Sequence, residues 1–329
     1  MKSIRAILLA VMITAVSVVL STPAMVMAGE EAKTEEALKV AVMGTRNLYE
    51  YPLWYAAEKK LFDIPIDILS FRKARIMDAA LLTGEVDVLS NVFMVVRDPK
   101  KFTIVGVTAA SALYAIISGE NVDTSKLNGK IIAVRSCIRG RSIASLTQSV
   151  IKHWAAGLNL QLYCGPPHEN PGTNGLYLVP IGNSAARIAA LRKGDVDMAV
   201  VIVPKHLKAL TPGYRLVAIL RTPASNFIVR SGYLYDEVAR RRITALMAGV
   251  QRAVRELSRN PQEAKAFIAK KSKMPNHTDR IYELGMELWS QTGVVPPETV
   301  LQWVKFFGEE TPEGYQASYD FSAVPSIQK

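Results

Sequence analysis

The sequence contains few of the side chains that build metal centres and disulfide frameworks. Its 329 residues include only two cysteines and four histidines. The histidines are scattered, and none has the spacing that zinc ligands require. They are His153, His168, His206 and His277. We therefore expect no metal centre and no cofactor.

The sequence also lacks the common catalytic signatures. It has no G-x-S-x-G elbow, no glycine-rich loop that would hold phosphates and no H-E-x-x-H helix. No pattern of a nucleic-acid-binding module is present either. These absences favour a binding protein over an enzyme, and they give no reason to expect a nucleic-acid partner.

Only one long apolar run occurs, and it lies at the N-terminus. The run AILLAVMITAVSVVL at 6–20 follows Lys2 and Arg5, and small Ala28 ends the segment after it. This order is typical of a secretory signal peptide, and the run is short for a membrane span. We predict cleavage near Ala28, a mature chain of 29–329 and a periplasmic location. An uncleaved anchor is the alternative.

The chain is basic. Its formal net charge is +11, and loss of the two basic residues of the leader leaves +9. Such a charge suits an anionic ligand, an anionic membrane surface or nucleic acid. Much of the excess lies in ARRRITALMAGVQRAVRELSR at 239–259, whose apolar residues recur at helical spacing. We interpret these arginines as the solvated face of an amphipathic helix.

One short phrase occurs twice, 110 positions apart. Residues 79–90 read AALLTGEVDVLS and residues 189–200 read AALRKGDVDMAV. Each copy is predicted to end a helix at a left-handed glycine, Gly84 or Gly194, and then to begin a strand. The aspartates Asp87 and Asp197 occupy equivalent positions, which indicates a structural role more than a catalytic pair.

The residues before each left-handed glycine follow a helical pattern. Ile76, Ala80 and Thr83 share one face in the first copy, and Ala185, Ile188 and Leu191 share one face in the second. With the strands upstream, each copy forms a strand–helix–strand unit, which packs as a crossover in a parallel sheet. Chance similarity between two short Ala/Leu helices is the alternative.

Two similar units predict an α/β protein with two lobes, mainly parallel sheets flanked by helices, and a hinge between the lobes. We expect residues 1–28 to be the signal peptide. The first lobe is predicted to combine 29–117 with 229–329, and the second to span 118–228. The chain would then cross between the lobes twice.

Several segments resemble a known family. They are PLWYAAEKKLFDIPIDI, the paired ALLTGEVDV and ALRKGDVDMAVV, and SKLNGKIIAV. Together they are similar to periplasmic solute-binding proteins of ABC importers, in the branch that binds sulfonates, taurine, nitrate and thiamine-pyrimidine precursors. The resemblance covers Leu38 to Phe307. It implies the type II two-lobed periplasmic binding protein fold, which closes on its ligand by a hinge motion.

The resemblance also implies a function. The protein would capture a small molecule, act without catalysis and deliver its ligand to a membrane permease, as a monomer. Two alternatives remain, a ligand sensor of the same fold and an enzyme of the same fold acting on a small carboxylate. The sequence departs from the family in its 159–175 loop and in the basic segment RSCIRGRS at 135–142.

The two cysteines both fall in the predicted second lobe. Cys137 follows a strand and Cys164 follows the next helix. Export to an oxidising compartment favours a disulfide between them. Two buried thiols are the alternative.

Ligands of parallel α/β sheets gather at the carboxyl ends of the strands. Arginines at those ends could hold an anion by paired hydrogen bonds, tyrosines could stack on it and helix N-termini would favour its charge. We therefore predict a small organic anion as ligand. The residues predicted to bind it are Arg46, Tyr49, Tyr51, Arg72, Asn91, Ser136, Arg139, Ser142, Asn183 and Ser184.

Overall fold

The computed structural model describes residues 36–43, 48–90, 100–109, 111–137, 146–167, 175–223, 226–307 and 319–326. The predicted signal peptide lies outside these residues. So do four of the predicted ligand-binding residues, which are Arg46, Asn91, Arg139 and Ser142. Among the helices in the described ranges, none has both the length and the apolar character needed to cross a bilayer.

The strands of the described ranges form two sheets. The first has the order β2-β1-β3-β11-β4 and consists of β1 Leu38–Met43, β2 Ile66–Phe71, β3 Val88–Ser90, β4 Phe102–Val107 and β11 Asn226–Arg230. The second has the order β10-β5-β9-β6-β8-β7 and consists of β5 Ala112–Gly119, β6 Ile131–Val134, β7 Gln161–Cys164, β8 Gly175–Pro180, β9 Met198–Ile202 and β10 Tyr214–Thr222.

Both sheets are parallel at the centre of each repeated unit. β1 pairs in parallel with β2 and β3, and β6 pairs in parallel with β8 and β9. One strand of each sheet runs in the opposite direction: β11 pairs antiparallel with β3 and β4 in the first sheet, and β5 pairs antiparallel with β9 and β10 in the second. The prediction of two mainly parallel α/β lobes is confirmed. We call the first sheet with the helices packed on it the first lobe, and the second sheet with its helices the second lobe.

Helices cover the sheets. They are α1 Tyr51–Glu58, α2 Ala74–Thr83, α3 Leu146–Ala156, α4 Ser184–Lys193, α5 Glu237–Arg259, α6 Pro261–Ser272, α7 Thr278–Leu288 and α8 Pro297–Phe307. The longest, α5, begins where the side chain of Asp236 accepts a hydrogen bond from the backbone N of Ala239 at 2.8 Å. Its apolar stripe, which includes Ile243 and Met247, packs on the core of the first sheet.

The chain changes sheet twice, between β4 and β5 and again between β10 and β11. Each change falls a few residues before the predicted lobe boundary, so the boundaries at 117/118 and 228/229 stay predictions. An apolar cluster continues across the two lobes, because Leu257 and Phe267 of the C-terminal helices share it with Leu113 and Val201 of the second sheet.

One element was missed by the sequence analysis. The segment 157–175 was interpreted as a loop, but it contains β7, which pairs in parallel with β8 at the edge of the second sheet. Four residues flanked by glycine and proline give too short a pattern to indicate a strand. Gly175 permits the pairing, because a Cβ there would collide with the carbonyl oxygen of Gln161.

Candidate functional site

The repeated phrase builds the same scaffold in both lobes. The side chain of Asp87 accepts a hydrogen bond from the backbone N of Lys39 at 2.9 Å, and that of Asp197 accepts one from the backbone N of Ile131 at 2.8 Å. The backbone N of each aspartate donates in return to the carbonyl of the same partner, at 3.0 Å in both lobes. Each aspartate therefore fastens the start of its strand to the neighbouring parallel strand, which is a structural role.

The glycine of each phrase ends its helix as predicted. Gly84 has φ 81° after α2, and Gly194 has φ 78° after α4. Both angles lie in the left-handed region that a side chain disfavours. The helices therefore stop at equivalent points and turn into equivalent strands.

The buried residues of these helices overlap the predicted faces in part. In α2 the buried residues include Met77 and Ala80, whereas Ile76 is 54% exposed. In α4 the buried residues include Arg187, Ala190 and Leu191. In Ala-rich helices two adjacent faces have nearly equal apolar content, so periodicity alone does not fix which of them is buried. The buried face places a methionine in one lobe where the other lobe has an arginine.

Arg187 is a buried cation fixed by backbone carbonyls. Its Nε donates to the carbonyl of Val200 at 2.6 Å, its Nη1 donates to the carbonyl of Gly182, and its Nη2 donates to Ser184 Oγ at 3.1 Å. Burial lowers its pKa to about 10, so the guanidinium stays charged at neutral pH. Among the described residues, no carboxylate forms an ion pair with it.

Arg187 lines a cavity of about 540 Å³. Other lining residues come from the carboxyl ends of β1, β6, β8 and β9, from β5, from the N-termini of α1, α3 and α4, and from the end of α6 with the segment after it. The lining residues are Met43, Leu48, Tyr51, Tyr114, Arg135, Thr147, Gly182, Asn183, Ser184, Arg187, Ile202, Val203, Pro204, Lys205, Ser272 and Met274. The cavity therefore lies between the two lobes, at the strand ends where the sequence predicts a ligand.

The described wall of this cavity is positively charged. It contains Arg135, Arg187 and Lys205 but no aspartate or glutamate. At the N-terminus of α4, the side chain of Asn183 accepts a hydrogen bond from the backbone N of Ala186 at 3.0 Å. The first amide groups of that helix add partial positive charge on the same side. The wall is thus suited to a negative group.

Tyr114 lines the cavity, and the pKa of its hydroxyl depends on burial and on the nearby cations. Burial raises the pKa of its hydroxyl to about 12, and the positive charges of Arg135 and Arg187 act in the opposite direction. The phenol is therefore neutral at neutral pH. It can donate a hydrogen bond or pack against a ligand without adding negative charge to the cavity.

Three of the predicted ligand-binding residues line the cavity, namely Tyr51, Asn183 and Ser184. Tyr49 does not. Its hydroxyl accepts a hydrogen bond from the backbone N of Leu113 at 2.8 Å and lies 3.2 Å from the carbonyl of the same residue. Burial also raises the pKa of Tyr49. Its hydroxyl joins the first lobe to the second and is occupied by the backbone.

Arg72 and Ser136 also lie away from the described cavity wall. Arg72 is exposed just beyond β2, and β2 is an edge strand of the first sheet. Ser136 is half-buried and follows Arg135, which does line the cavity. The part of Arg72 and Ser136 in ligand binding stays a prediction.

Cys137 and Cys164 form a disulfide in the structure, with Cα atoms 5.8 Å apart. The bridge joins the chain just after β6 to the end of β7. Because Arg135 lies two residues before Cys137, the disulfide restrains the segment that carries this cavity cation. The amide of Gln148 in α3 donates to Cys164 Sγ at 3.7 Å.

Sequence reasoning missed the residues that carry most of the site's charge, above all Arg187. One signal could have found it. Extending the repeat upstream by its shift of 110 positions aligns Arg187 with Met77. A charged residue where the other copy has an apolar one, on the same face as the conspicuous Ala80 and Ala190, is a position where the two lobes differ in chemistry.

Comparison with solved structures identifies the fold of the chain. The chain superposes on the periplasmic aliphatic sulphonate binding protein SsuA from Escherichia coli with a TM-score of 0.63 and 16% identity, over 89% of this chain and 95% of that one. A Candida albicans protein with the generic periplasmic binding protein fold gives a TM-score of 0.65 and 13% identity, over 89% and 99%. The chain has the periplasmic binding protein fold.

A third structure of this fold is the ligand-binding component of an ABC-type import system from Staphylococcus aureus, with zinc bound. It matches with a TM-score of 0.61 and 12% identity, over 88% of this chain and 98% of that one. No protein-family model and no curated protein sequence matches the chain. At these identities the likeness concerns the fold.

Proposed function

We propose that the protein is an extracytoplasmic solute-binding protein that captures a small organic anion between its lobes and delivers it to an ABC importer. The observation that carries the proposal is the cavity of about 540 Å³ whose described wall has three cations and no carboxylate. Cavities of this size suit small metabolites. A buried cation without a protein counter-ion favours a ligand that supplies the negative charge.

The proposed ligand is organic because the wall is not uniformly polar. Met43, Leu48, Tyr51 and Met274 contribute apolar and aromatic surface. A small inorganic ion would leave that surface in contact with water, whereas an organic body would cover it. The Staphylococcus aureus neighbour is the ligand-binding component of an ABC-type import system, and this supports delivery to an importer.

Catalysis is not part of the proposal. Within the described ranges there is no group of three or more His, Cys, Asp and Glu side chains placed to hold a metal ion. Capture, closure of the lobes and transfer to a permease require binding free energy only. The proposal includes export by the N-terminal signal peptide and action as a monomer.

A thermal-shift screen tests the binding proposal. Purified protein is heated with propanesulfonate, pentanoate and other small anions, and in parallel with amines of the same length as matched controls. A ligand at one hundred times its dissociation constant raises the free energy of unfolding by about 2.7 kcal/mol. We expect stabilisation by anions and none by amines. Stabilisation by amines alone would contradict the proposal.

Delivery to an importer is a separate question from binding. Deleting the gene should abolish uptake of the identified anion by intact cells, and a copy encoding the intact protein should restore it. If uptake continues at the wild-type rate while a transcriptional response to the anion is lost, the protein is a sensor and this half of the proposal is wrong.

A further inference from the structure

The two lobes contribute unlike halves to the cavity wall. Every cation of the described wall, Arg135, Arg187 and Lys205, comes from the second lobe. The wall on the other side comes from the end of β1, the segment before α1, α1 itself, the last residue of α6 and the chain after it. Its residues carry no charge, and they are Met43, Leu48, Tyr51, Ser272 and Met274. The cavity therefore has one charged end and one largely apolar end.

The charged end has a fixed point. A guanidinium has five N–H donors, and in Arg187 three of them engage Val200, Gly182 and Ser184. Two donors remain on a side chain that is only 3% exposed. A buried donor without an acceptor costs free energy of desolvation, and the cost is larger when the group is charged. The two remaining donors can take two oxygens of one anionic head group in the fork arrangement typical of arginine.

Among the described residues of the apolar end, none supplies a counter-ion for a positive charge. No aspartate or glutamate is among the described lining residues, and Tyr51 and Tyr114 are neutral at neutral pH because burial raises the pKa of each to about 12. An ammonium group placed there would lose its hydration without gaining a counter-ion. The same wall accepts a methyl group of equal size at no such cost.

We propose that Arg187 is the anchor of the ligand's anionic head group, and that the ligand is an organic anion without an amino group, whose apolar body lies against the first lobe. This inference rests on the proposed function and narrows it. The cavity discriminates against zwitterions such as amino acids and amino sulfonates, although these carry the same head groups.

Pairs of isosteric ligands test the proposal without any substitution. Propanesulfonate and taurine differ by a methyl group in place of an ammonium, and so do pentanoate and γ-aminobutyrate. Calorimetric titration of the wild-type protein should give a dissociation constant at least about tenfold lower for the uncharged-tail member of each pair, because the ammonium is buried without a partner. Equal affinity within the pairs, or preference for the zwitterions, would overturn the proposal.

Substitutions test the anchor itself. Arg187→Met restores the residue type of the other lobe, and Arg187→Lys keeps the charge but loses the fork. Both should weaken propanesulfonate binding, Arg187→Met by about 10- to 150-fold, the effect of losing charged hydrogen bonds. Arg192→Met is the matched control on the same helix, since Arg192 is exposed, does not line the described cavity wall and donates to the carbonyl of Lys208. The control should bind like wild type.

The outcomes separate this inference from the proposed function. If small anions bind but Arg187→Met, shown by circular dichroism to be folded, binds them like wild type, the anchor is wrong while the binding function stands. If Arg187→Lys binds like wild type, the paired hydrogen bonds of the guanidinium are not needed, and that part of the proposal is wrong. If the wild-type protein binds no small anion, the proposed function fails and this inference fails with it.

Discussion

The two copies of the repeated phrase show how one backbone unit can serve two chemistries. In both lobes the aspartate fastens neighbouring strands and a left-handed glycine ends the helix. In the first lobe the inward face of the helix carries Met77, which is fully buried in the core. In the second lobe the same point carries Arg187, which lines the cavity. The repeat supplies the same geometry in both lobes, and the difference between Met77 and Arg187 places a buried charge in only one of these two equivalent positions.

The N-termini of α2 and α4 also differ between the two lobes. The residue before α2 is Lys73, whose side chain makes no capping hydrogen bond, whereas Asn183 caps α4. A lysine at a helix N-terminus opposes the helix dipole, and asparagine accommodates it. The second lobe thus gathers a capped N-terminus, a buried arginine and its carbonyl partners at one place. The first lobe offers an ordinary core at the equivalent place.

The largest expected effect comes from giving the first lobe the arginine that the second lobe has at the equivalent position. Met77→Arg places an unpaired charge in the core of the first lobe, where the equivalent of the Arg187 arrangement is absent. We expect a loss of about 3–5 kcal/mol in the free energy of unfolding, measured by urea denaturation. Met77→Leu is the control and should cost less than about 1.5 kcal/mol. A Met77→Arg protein as stable as wild type would show that the two positions are interchangeable.

The next largest effect is expected from removal of the disulfide, which lies in the second lobe. It closes a loop with a sequence separation of 27. On the loop-entropy estimate, replacing both Cys137 and Cys164 by alanine should lower stability by about 3.5 kcal/mol. Urea unfolding followed by circular dichroism measures the effect. Two reactive thiols per chain in unfolded, unreduced wild-type protein would contradict the bridge.

Acid should destabilise the protein through His206, near the cavity in the second lobe. Burial, with a smaller contribution from the charge of Arg280, lowers the pKa of His206 from 6.5 to about 4, and His277 also opposes its protonation. The unfolded chain therefore binds a proton that the folded chain refuses between these pH values. Stability is complete above about pH 6.5 and falls as the pH is lowered toward 4, by at most about 3 kcal/mol.

His206→Gln checks this assignment, because glutamine does not titrate. The variant should lose the decrease in unfolding free energy between pH 6.5 and 4 that wild type shows in urea titrations. His277→Gln is the control and should keep most of it. An unchanged pH profile in His206→Gln would mean that other groups produce the acid sensitivity.

The smallest expected effect compares the two aspartates. Both fasten a strand, but Asp87 also accepts a hydrogen bond from the hydroxyl of Tyr233 at 3.3 Å and lies 3.8 Å from Arg242. Asp197 has Lys130 at 3.3 Å instead. Replacing either by alanine should cost about 1–3 kcal/mol, with the larger loss at Asp87, because more partners are left unpaired. Equal or reversed losses in urea unfolding would show that the additional contacts of Asp87 contribute nothing.

Much of the fold could be predicted because the repeat marks it twice. Gly84 with Asp87 and Gly194 with Asp197 identify two strand–helix–strand units. The two units lie far enough apart in the sequence for each to belong to its own sheet. Strand β7 could not be predicted, because a four-residue edge strand has no periodicity of its own.

The site was harder to predict than the fold. The expectation that ligands gather at strand ends named Tyr51, Asn183 and Ser184, which line the cavity. The same expectation does not distinguish edge strands from central ones, and it therefore also named Arg72, which lies at the end of the edge strand β2. Periodicity in an Ala-rich helix did not indicate which face is buried, and so Arg187 was not named. Tyr49 shows a third limit, because a sequence does not tell which hydroxyls the backbone already occupies.

The crystal structure of the protein with bromoethanesulfonate tests the central claim most directly. The electron density locates the sulfonate, and the anomalous signal of bromine locates the other end of the ligand. We expect the sulfonate oxygens within hydrogen-bond distance of Arg187, with the bromine on the side of Tyr51 and Met274. A sulfonate bound at the first-lobe wall, with bromine beside Arg187, would contradict the division of the cavity into a charged and an apolar half.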